Sequence, residues 1–330
     1  MEKHKARSVV RLNKYWGIVL PLFALTLTSC ASDLDIEFTD DTPLILNLES
    51  PSLRVMQVTD LHLTYGFDAN DQKTYELIEK LAEHTQPDII VLTGDLTMSP
   101  LAPSLYRQLT RRVDKIGIPW TFIFGNHDND FNSYKKNLDA VAAAKPEHLL
   151  FKVGPELMEG GFGNFIIQAR YQSAAFHNLY MLDTKNENGG LNDYDWLSEA
   201  QVDWYGSHAA ADALLDVTSS VYMHIPLLQY EEYINYDLID GQMGEDRVYP
   251  QGQETGFFDE MVAHGVSKGV FAGHDHLSNF SFLKDGILLA YGQTSGYNGY
   301  GQIERGARII EVDELGNLTS YLVLDQEVGL

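Results

Sequence analysis

The sequence predicts an α/β fold occupying one domain from about residue 51 to the C-terminus, and three observations predict it. Apolar runs of strand length alternate with amphipathic runs of helix length through the first half of the chain. Polar residues gather just past the ends of the apolar runs. A chain of 330 residues, 44% hydrophobic, can bury a core large enough for such a fold. Taken in order, LRVMQVTD (53–60) reads as a buried strand ending in a carboxylate, and NDQKTYELIEKLAEH as a helix with Tyr75, Ile78, Leu81 and Ala82 on one face. DIIVLTGD (88–95) is the next strand and APSLYRQLTRRVDKIG the next helix, stopped at Gly117. Pro119 opens a third strand, at the position where proline does least harm to a ladder. The second half is more mixed. NFIIQARY (164–171) and HNLYMLDT (177–184) read as antiparallel strands, and SEAQVDWYGSHAAADALL as a helix capped by Ser198. SVYMHIP, GVFAGHDH and GILLAYG bring back strands, and ARIIEVD with LTSYLVL closes as a hairpin around Glu314–Asn317.

Charge narrows the function. Asp and Glu number 47 against 23 Lys and Arg. Phosphate backbones are bound by displacing counterions with Lys and Arg, so general binding of nucleic-acid duplexes is not expected. A small phosphorylated substrate remains compatible, because salt screens exposed charge beyond about 8 Å and the local charge of a site decides.

The N-terminus differs in kind. Lys3, Lys5, Arg7, Arg11 and Lys14 precede the apolar stretch YWGIVLPLFALTLTS, which is short for a membrane span. Cys30, the only cysteine, follows, so an intrachain disulfide is impossible. Leu27-Thr28-Ser29-Cys30 resembles a bacterial lipobox. That resemblance implies a signal peptide over residues 1–29, lipidation of Cys30, and an exported protein anchored in the bacterial envelope. An uncleaved signal anchor and an ordinary secretory signal are the alternatives. Residues 30–50 read as an acidic tether into the fold.

Ligands of open α/β sheets sit beyond the carboxyl ends of the strands. Five clusters fall there: Asp60 with His62; Gly94-Asp95; Gly125-Asn126-His127-Asp128; His224; and Gly273-His274-Asp275-His276. Singly, Asp60 with His62 and Gly94-Asp95 read as ordinary turns and His224 as a core histidine, whereas Gly-His-Asp-His, with two imidazoles at i and i+2, is a stronger signal and Gly-Asn-His-Asp after a strand the strongest. In this order, as DLH, GD, GNHD, a lone histidine and GHDH, they resemble the calcineurin-like metallophosphoesterase family. LYMLDTKNENGG and YGQTSGYNGYG further resemble the branch of plant purple-acid-phosphatase-like proteins and a yeast phosphatase relative.

The resemblance implies a two-sheet α/β/β/α sandwich with mixed parallel and antiparallel strands, and two divalent or transition metal ions. One ion would take Asp60, His62, Asp95 and His276; the other Asp95, Asn126, His224 and His274, with Asp95 bridging. The donors are imidazole, carboxylate and amide, which suits Zn, Mn, Fe or Ni alike. The implied reaction is phosphate-ester hydrolysis, of monoesters above all, by a metal-bridging hydroxide. His127 would be the general acid, with Asp128 orienting its imidazole. A phosphodiesterase on the same site and a non-catalytic metal-containing lipoprotein are the competing readings. The coloured purple enzymes carry a tyrosine ligand where this chain has Met98, so a colourless protein is expected. Arg305, Arg308, Tyr297 and Tyr300 lie in or near a Gly/Tyr-rich loop and are candidates for substrate binding, with surface ion pairing or simple packing as the alternative.

Overall fold

In the computed structural model, residues 36–190 and 193–330 are described. The proposed signal peptide and Cys30 lie outside these residues. Among the described residues, fifteen strands and five α-helices follow one another. The strands are β1 (Leu44–Leu48), β2 (Leu53–Val58), β3 (Ile89–Thr93), β4 (Trp120–Ile123), β5 (Phe165–Tyr171), β6 (Ala174–Met181), β7 (Glu187–Gly190), β8 (Asp193–Tyr194), β9 (Thr218–Tyr222), β10 (Leu238–Asp240), β11 (Ser267–Ala272), β12 (Ser281–Lys284), β13 (Ile287–Tyr291), β14 (Gly306–Val312) and β15 (Leu318–Leu324). The helices are α1 (Ala69–Thr85), α2 (Ala102–Asp114), α3 (Tyr134–Ala144), α4 (Glu199–Leu214) and α5 (Phe257–His264).

The strands form a five-stranded sheet in the order β15-β14-β2-β3-β4 and an eight-stranded sheet in the order β1-β5-β6-β9-β11-β13-β12-β10. β7 and β8 make a separate small ribbon. The expected parallel pairing holds for β2, β3 and β4, while β14 joins β2 antiparallel and carries the C-terminal hairpin with β15. In the second sheet β6, β9, β11 and β13 are parallel, and β5 and β12 run against them. Two mixed sheets between helices are the predicted architecture.

Alternation along each strand explains the layering, since successive side chains face opposite sides. In β2 and β3, Leu53, Val55, Ile89 and Val91 face the second sheet and pack on Phe165, Ile167, Leu179, Tyr222 and Phe271. Their neighbours Met56, Val58, Ile90 and Leu92 face α1 and α2, meeting Tyr75, Ile78, Leu81 and Ala82. The far side of the eight-stranded sheet packs Tyr180, Val221 and Val270 on Tyr205 of α4 and Phe257 of α5. Gln57, fully buried, ties the sheets together by donating to Thr93 Oγ1 at 3.0 Å and to the Ala272 carbonyl at 3.1 Å. Ser198 caps α4 as predicted, in a reciprocal capping box with Gln201.

One boundary needs correction. The stretch 30–50 is not wholly a tether, because Leu44–Leu48 adds to the edge of the eight-stranded sheet, parallel to β5. LILNL alternates buried Leu46 and Leu48 with exposed neighbours, a short edge-strand pattern that the acidic residues before it concealed. Among the described residues no helix is long and apolar enough to cross a membrane.

Candidate metal centre

The sequence clusters sit past the C-terminal ends of β2, β3, β4, β9 and β11, so both sheets deliver side chains to one rim. Asp60, His62, Asp95 and His276 come together there, as do Asp95, His224 and His274, and in each group the potential ligand atoms lie within 4.8 Å of one another. Asp95 belongs to both. His62 Nε2 is 2.9 Å from His276 Nε2 and 3.4 Å from Asp95 Oδ2, and His276 Nε2 is 3.4 Å from Asp60 Oδ1. On the other side, His224 Nε2 is 3.3 Å from Asp95 Oδ2 and 3.1 Å from Asn126 Oδ1. All seven of these residues are buried.

The donor set fits a pair of cations. His224 Nδ1 donates to the Thr93 carbonyl at 2.8 Å, because a carbonyl can only accept. Its Nε2 is thereby left to the cluster, the second-sphere arrangement that fixes a ligand imidazole. That nitrogen meets two acceptors, Asp95 and Asn126, and only a positive charge, proton or metal, satisfies such a convergence. Burial acts to lower the pKa of His224, but the charge and hydrogen bond of Asp95, with the Asp60 charge and the Thr93 carbonyl, together more than reverse this and raise it to about 10. Burial pulls His62 down to about 4 and His274 to about 3, so both offer neutral lone pairs. Asp95 is pushed upward by burial, but the neighbouring His224, His62 and His127 hold it well below the usual carboxylate range.

The glycines before the ligands are required by space. A Cβ on Gly125 would lie 2.3 Å from the backbone nitrogen and Oδ1 of Asp95. Gly94, at φ +88°, would bring one to 2.6 Å from His224 Nδ1.

The cluster floors a cleft of 510 Å³ lined by Met98, His127, Tyr194, Glu245, Tyr249, Tyr300 and the ligand side chains, among others. His127 stands at its edge. Its Nδ1 donates to Asp130 Oδ2 at 2.8 Å, which leaves Nε2 available to a substrate. Burial acts to lower its pKa, but Asp130 and Asp95 more than reverse this and raise it to about 9.

Asp128 does not orient His127. It is buried, and its Oδ1 accepts from the Leu96 and Thr97 amides at 3.0 and 3.1 Å while Oδ2 accepts from the Gly125 amide at 2.8 Å. It buckles the loop after β3 to the loop after β4. Burial and the nearby Asp95 charge push its carboxyl up to about 7. The orienting role belongs to Asp130, which sequence reasoning passed over, although its i+3 spacing from His127 in an acidic turn is a readable signal.

The four substrate-binding candidates divide. Tyr300 lines the cleft, stacked on His276 with centroids 4.1 Å apart. Tyr297 does not; its hydroxyl donates to Asp325 at 2.7 Å and its ring packs against the core under α1. Arg308 is fully buried and spends its guanidinium on Asp240, Ser320 and the carbonyls of Tyr291 and Asn279. Arg305 is buried too, and Nη2 holds the carbonyls of Gly299 and Gly301, bracing the loop that presents Tyr300. Neither arginine reaches the cleft. Tyr194, Glu245 and Tyr249 do, and no spacing in the sequence ties them to the motifs.

Fold and site together define a two-sheet α/β sandwich with a buried cluster of potential metal ligands at one rim. Residues 53–278 match the calcineurin-like phosphoesterase family, and the chain belongs to it. It is 28% identical over 310 residues to the Arabidopsis thaliana protein named probable inactive purple acid phosphatase 14, covering 81% of this chain and 76% of that one. It is 26% identical over 304 residues to the phosphatase DCR2 of Saccharomyces cerevisiae, covering 79% of this chain and 51% of the yeast protein. The fold is shared with a dimetal phosphatase from Danio rerio at a TM-score of 0.55 and 9% identity, over 82% of this chain and 98% of that one.

Proposed function

We propose that this chain is an exported, lipid-anchored phosphoesterase that hydrolyses phosphomonoesters with two metal ions. Asp60, His62, Asp95 and His276 would hold one ion, and Asp95, Asn126, His224 and His274 the other. The observation that carries the reading is two buried acceptor clusters sharing Asp95 beneath a cleft, with an unligated His127–Asp130 pair at its edge. When bound, such ions supply Lewis acidity toward phosphoryl oxygens and acidify water near neutral pH. His127 Nε2 protonates the leaving alcohol as its P–O bond breaks, and Asp130 keeps the opposite ring nitrogen protonated and the ring in place. A purely structural metal site has no use for such a pair, and this supports catalysis here even though the name of the plant relative calls that protein inactive. Met98 at the cleft supports a site without a tyrosinate chromophore. The basic and apolar run before Cys30 supports export and lipidation.

The test is metal analysis of purified protein, followed by turnover of monoesters and diesters with the same preparation. His127→Ala is expected to keep both metals and lose about 10²–10⁴ in rate on an ester with a poor leaving group. Unchanged turnover in that variant would remove His127 from the mechanism. A preparation without metal, or inactive on every ester when loaded, would remove the phosphoesterase reading itself. Growth in labelled palmitate decides the anchor: label lost in Cys30→Ala is the expected result.

A further inference from the structure

The cleft wall beyond the ligand cluster is aromatic and acidic. Three tyrosines from separate parts of the chain converge on the segment His274-Asp275-His276. Tyr194 meets His274 edge-on with centroids 4.3 Å apart. The Tyr249 amide donates to Asp275 Oδ2 at 3.1 Å. Tyr300 stacks on His276 at an interplanar angle of 11° and donates its hydroxyl to Glu245 Oε1 at 2.6 Å. The same oxygen takes the Leu277 amide at 3.0 Å, so the carboxylate is fixed at the wall.

No lysine or arginine lines the cleft among the described residues. Arg305 is engaged with the Gly299 and Gly301 carbonyls. Arg247 lies over the Tyr249 ring, its guanidinium carbon 4.6 Å from the centroid, so that ring already receives a cation. The carboxylate left to the outer cleft is therefore that of Glu245, beside the rings of Tyr194 and Tyr300, and aromatic rings attract cations; Asp275 is buried and accepts from the Tyr291 hydroxyl and the Tyr249 amide.

From this wall we propose that the site prefers phosphate esters of amino or quaternary ammonium alcohols, with Tyr194, Tyr300 and Glu245 receiving the cationic end. The proposal rests on the phosphoesterase reading above and adds the class of leaving group. The phosphoryl end is anionic and goes to the metal cluster. A leaving group with a carboxylate or second phosphate would meet Glu245 without a counter-charge. A neutral one would gain only apolar contact. In the reaction water adds to phosphorus, the P–O bond to the alcohol breaks, and the aminoalcohol departs carrying the proton from His127.

The test needs no variant to begin. Metal-loaded protein is given choline phosphate, its neutral isostere neohexyl phosphate, the phosphate ester of hydroxybutyrate, and p-nitrophenyl phosphate. The expected kcat/KM for choline phosphate exceeds that for the isostere by about tenfold at low salt, from cation–π contact together with carboxylate attraction, and the anionic ester is slowest. Glu245→Gln is expected to shrink the choline-to-isostere ratio severalfold, and because a ratio is read, any loss of active protein cancels. Turnover of p-nitrophenyl phosphate with a ratio near one overturns the specificity and leaves the phosphoesterase reading standing. A choline preference unchanged in Glu245→Gln overturns the role of the carboxylate. No turnover of any ester overturns both.

Discussion

Replacing Asp128 by asparagine separates its two possible roles, because they predict opposite readouts. The carboxylate accepts three buried backbone amides, from Leu96, Thr97 and Gly125, between 2.8 and 3.1 Å. Its own carbonyl is held by Asn137 of α3 at 2.8 Å. An asparagine can keep its oxygen on Leu96 and Thr97, but its NH₂ then faces the Gly125 N–H, donor against donor. Two buried donors lose their partners, at about 1–3 kcal/mol each and more where a charged acceptor is lost, so about 3 kcal/mol is expected. At roughly 2–4 °C per kcal/mol for a domain approaching this size, Tm falls by roughly 6–12 °C. The assay is thermal and urea unfolding of metal-free protein, with turnover measured on the loaded form well below Tm. A Tm within about 2 °C of the parent, far less than the lost bonds require, together with a large fall in kcat, would refute the buckle and restore Asp128 as the partner of His127.

Other perturbations test neighbouring parts of the argument. Asp95→Asn weakens both cation sites at once, and metal analysis is expected to find neither ion retained; two tightly held ions would contradict the shared ligand. Arg308→Met removes the guanidinium from Asp240, which keeps the Ser281 hydroxyl, and from three further acceptors, so unfolding is expected to become easier by about 3 kcal/mol while KM stays unchanged. His177, buried between Thr218 and Ser220, is held by burial at about 3 against an ordinary 6.5. Because the folded value is the lower one, stability is intact above pH 6.5 and is lost as pH falls toward 3, by about 1.4 kcal/mol per pH unit. His177→Gln should flatten that slope in urea melts between pH 7 and 5 by about one proton. Stripping metal with a chelator is expected to leave the far-UV circular dichroism spectrum unchanged, since the strands and helices do not depend on the cluster.

How much was legible depended on the range over which each feature is encoded. β2, β3, β4 and the helices between them announce themselves by local period, and the buried face of α1 was readable residue by residue. The convergence of Asp60, His62, Asp95, Asn126, His224, His274 and His276 was readable because each sits just past a strand end, where topology brings distant segments to one rim. Short elements were not. β10 has three residues and β12 four, too few to show a period, and each forms only because a neighbour's edge receives it. α3 escaped although Ser133 caps it, because its buried face is limited to residues such as Tyr134, Asn137, Ala140 and Val141. The partner of His127 was misassigned for a geometric reason: the adjacent carboxylate points back beneath the turn, and the residue three positions on returns to the ring. Arg308 could not be separated from a phosphate ligand by sequence, since its burial depends on β10, some seventy residues away.

The local backbone shows how the cluster keeps its shape. Asp60, His62, Asp95 and His274 all adopt positive φ, at 55°, 43°, 51° and 80°. Such residues cost about 1 kcal/mol or more each and persist only where surroundings over-determine them. Here the ligand loops restrain one another. The Asp60 amide donates to the Gly94 carbonyl and the His62 amide to the Asp95 carbonyl, at 3.2 and 3.0 Å. The His127 amide donates to Asp95 Oδ1 at 2.9 Å, and the His274 amide to Asp60 Oδ2 at 3.1 Å. Gly273 closes the set on the His224 carbonyl at 3.0 Å. Every loop that supplies a ligand is thus fastened to another such loop by the protein's own bonds. The strain is offset within the cluster before any cation arrives, which is why chelation is expected to spare the fold. It is also why Asp95, as backbone acceptor, side-chain acceptor and member of both groups of potential ligands, is the position where a one-atom change reaches furthest.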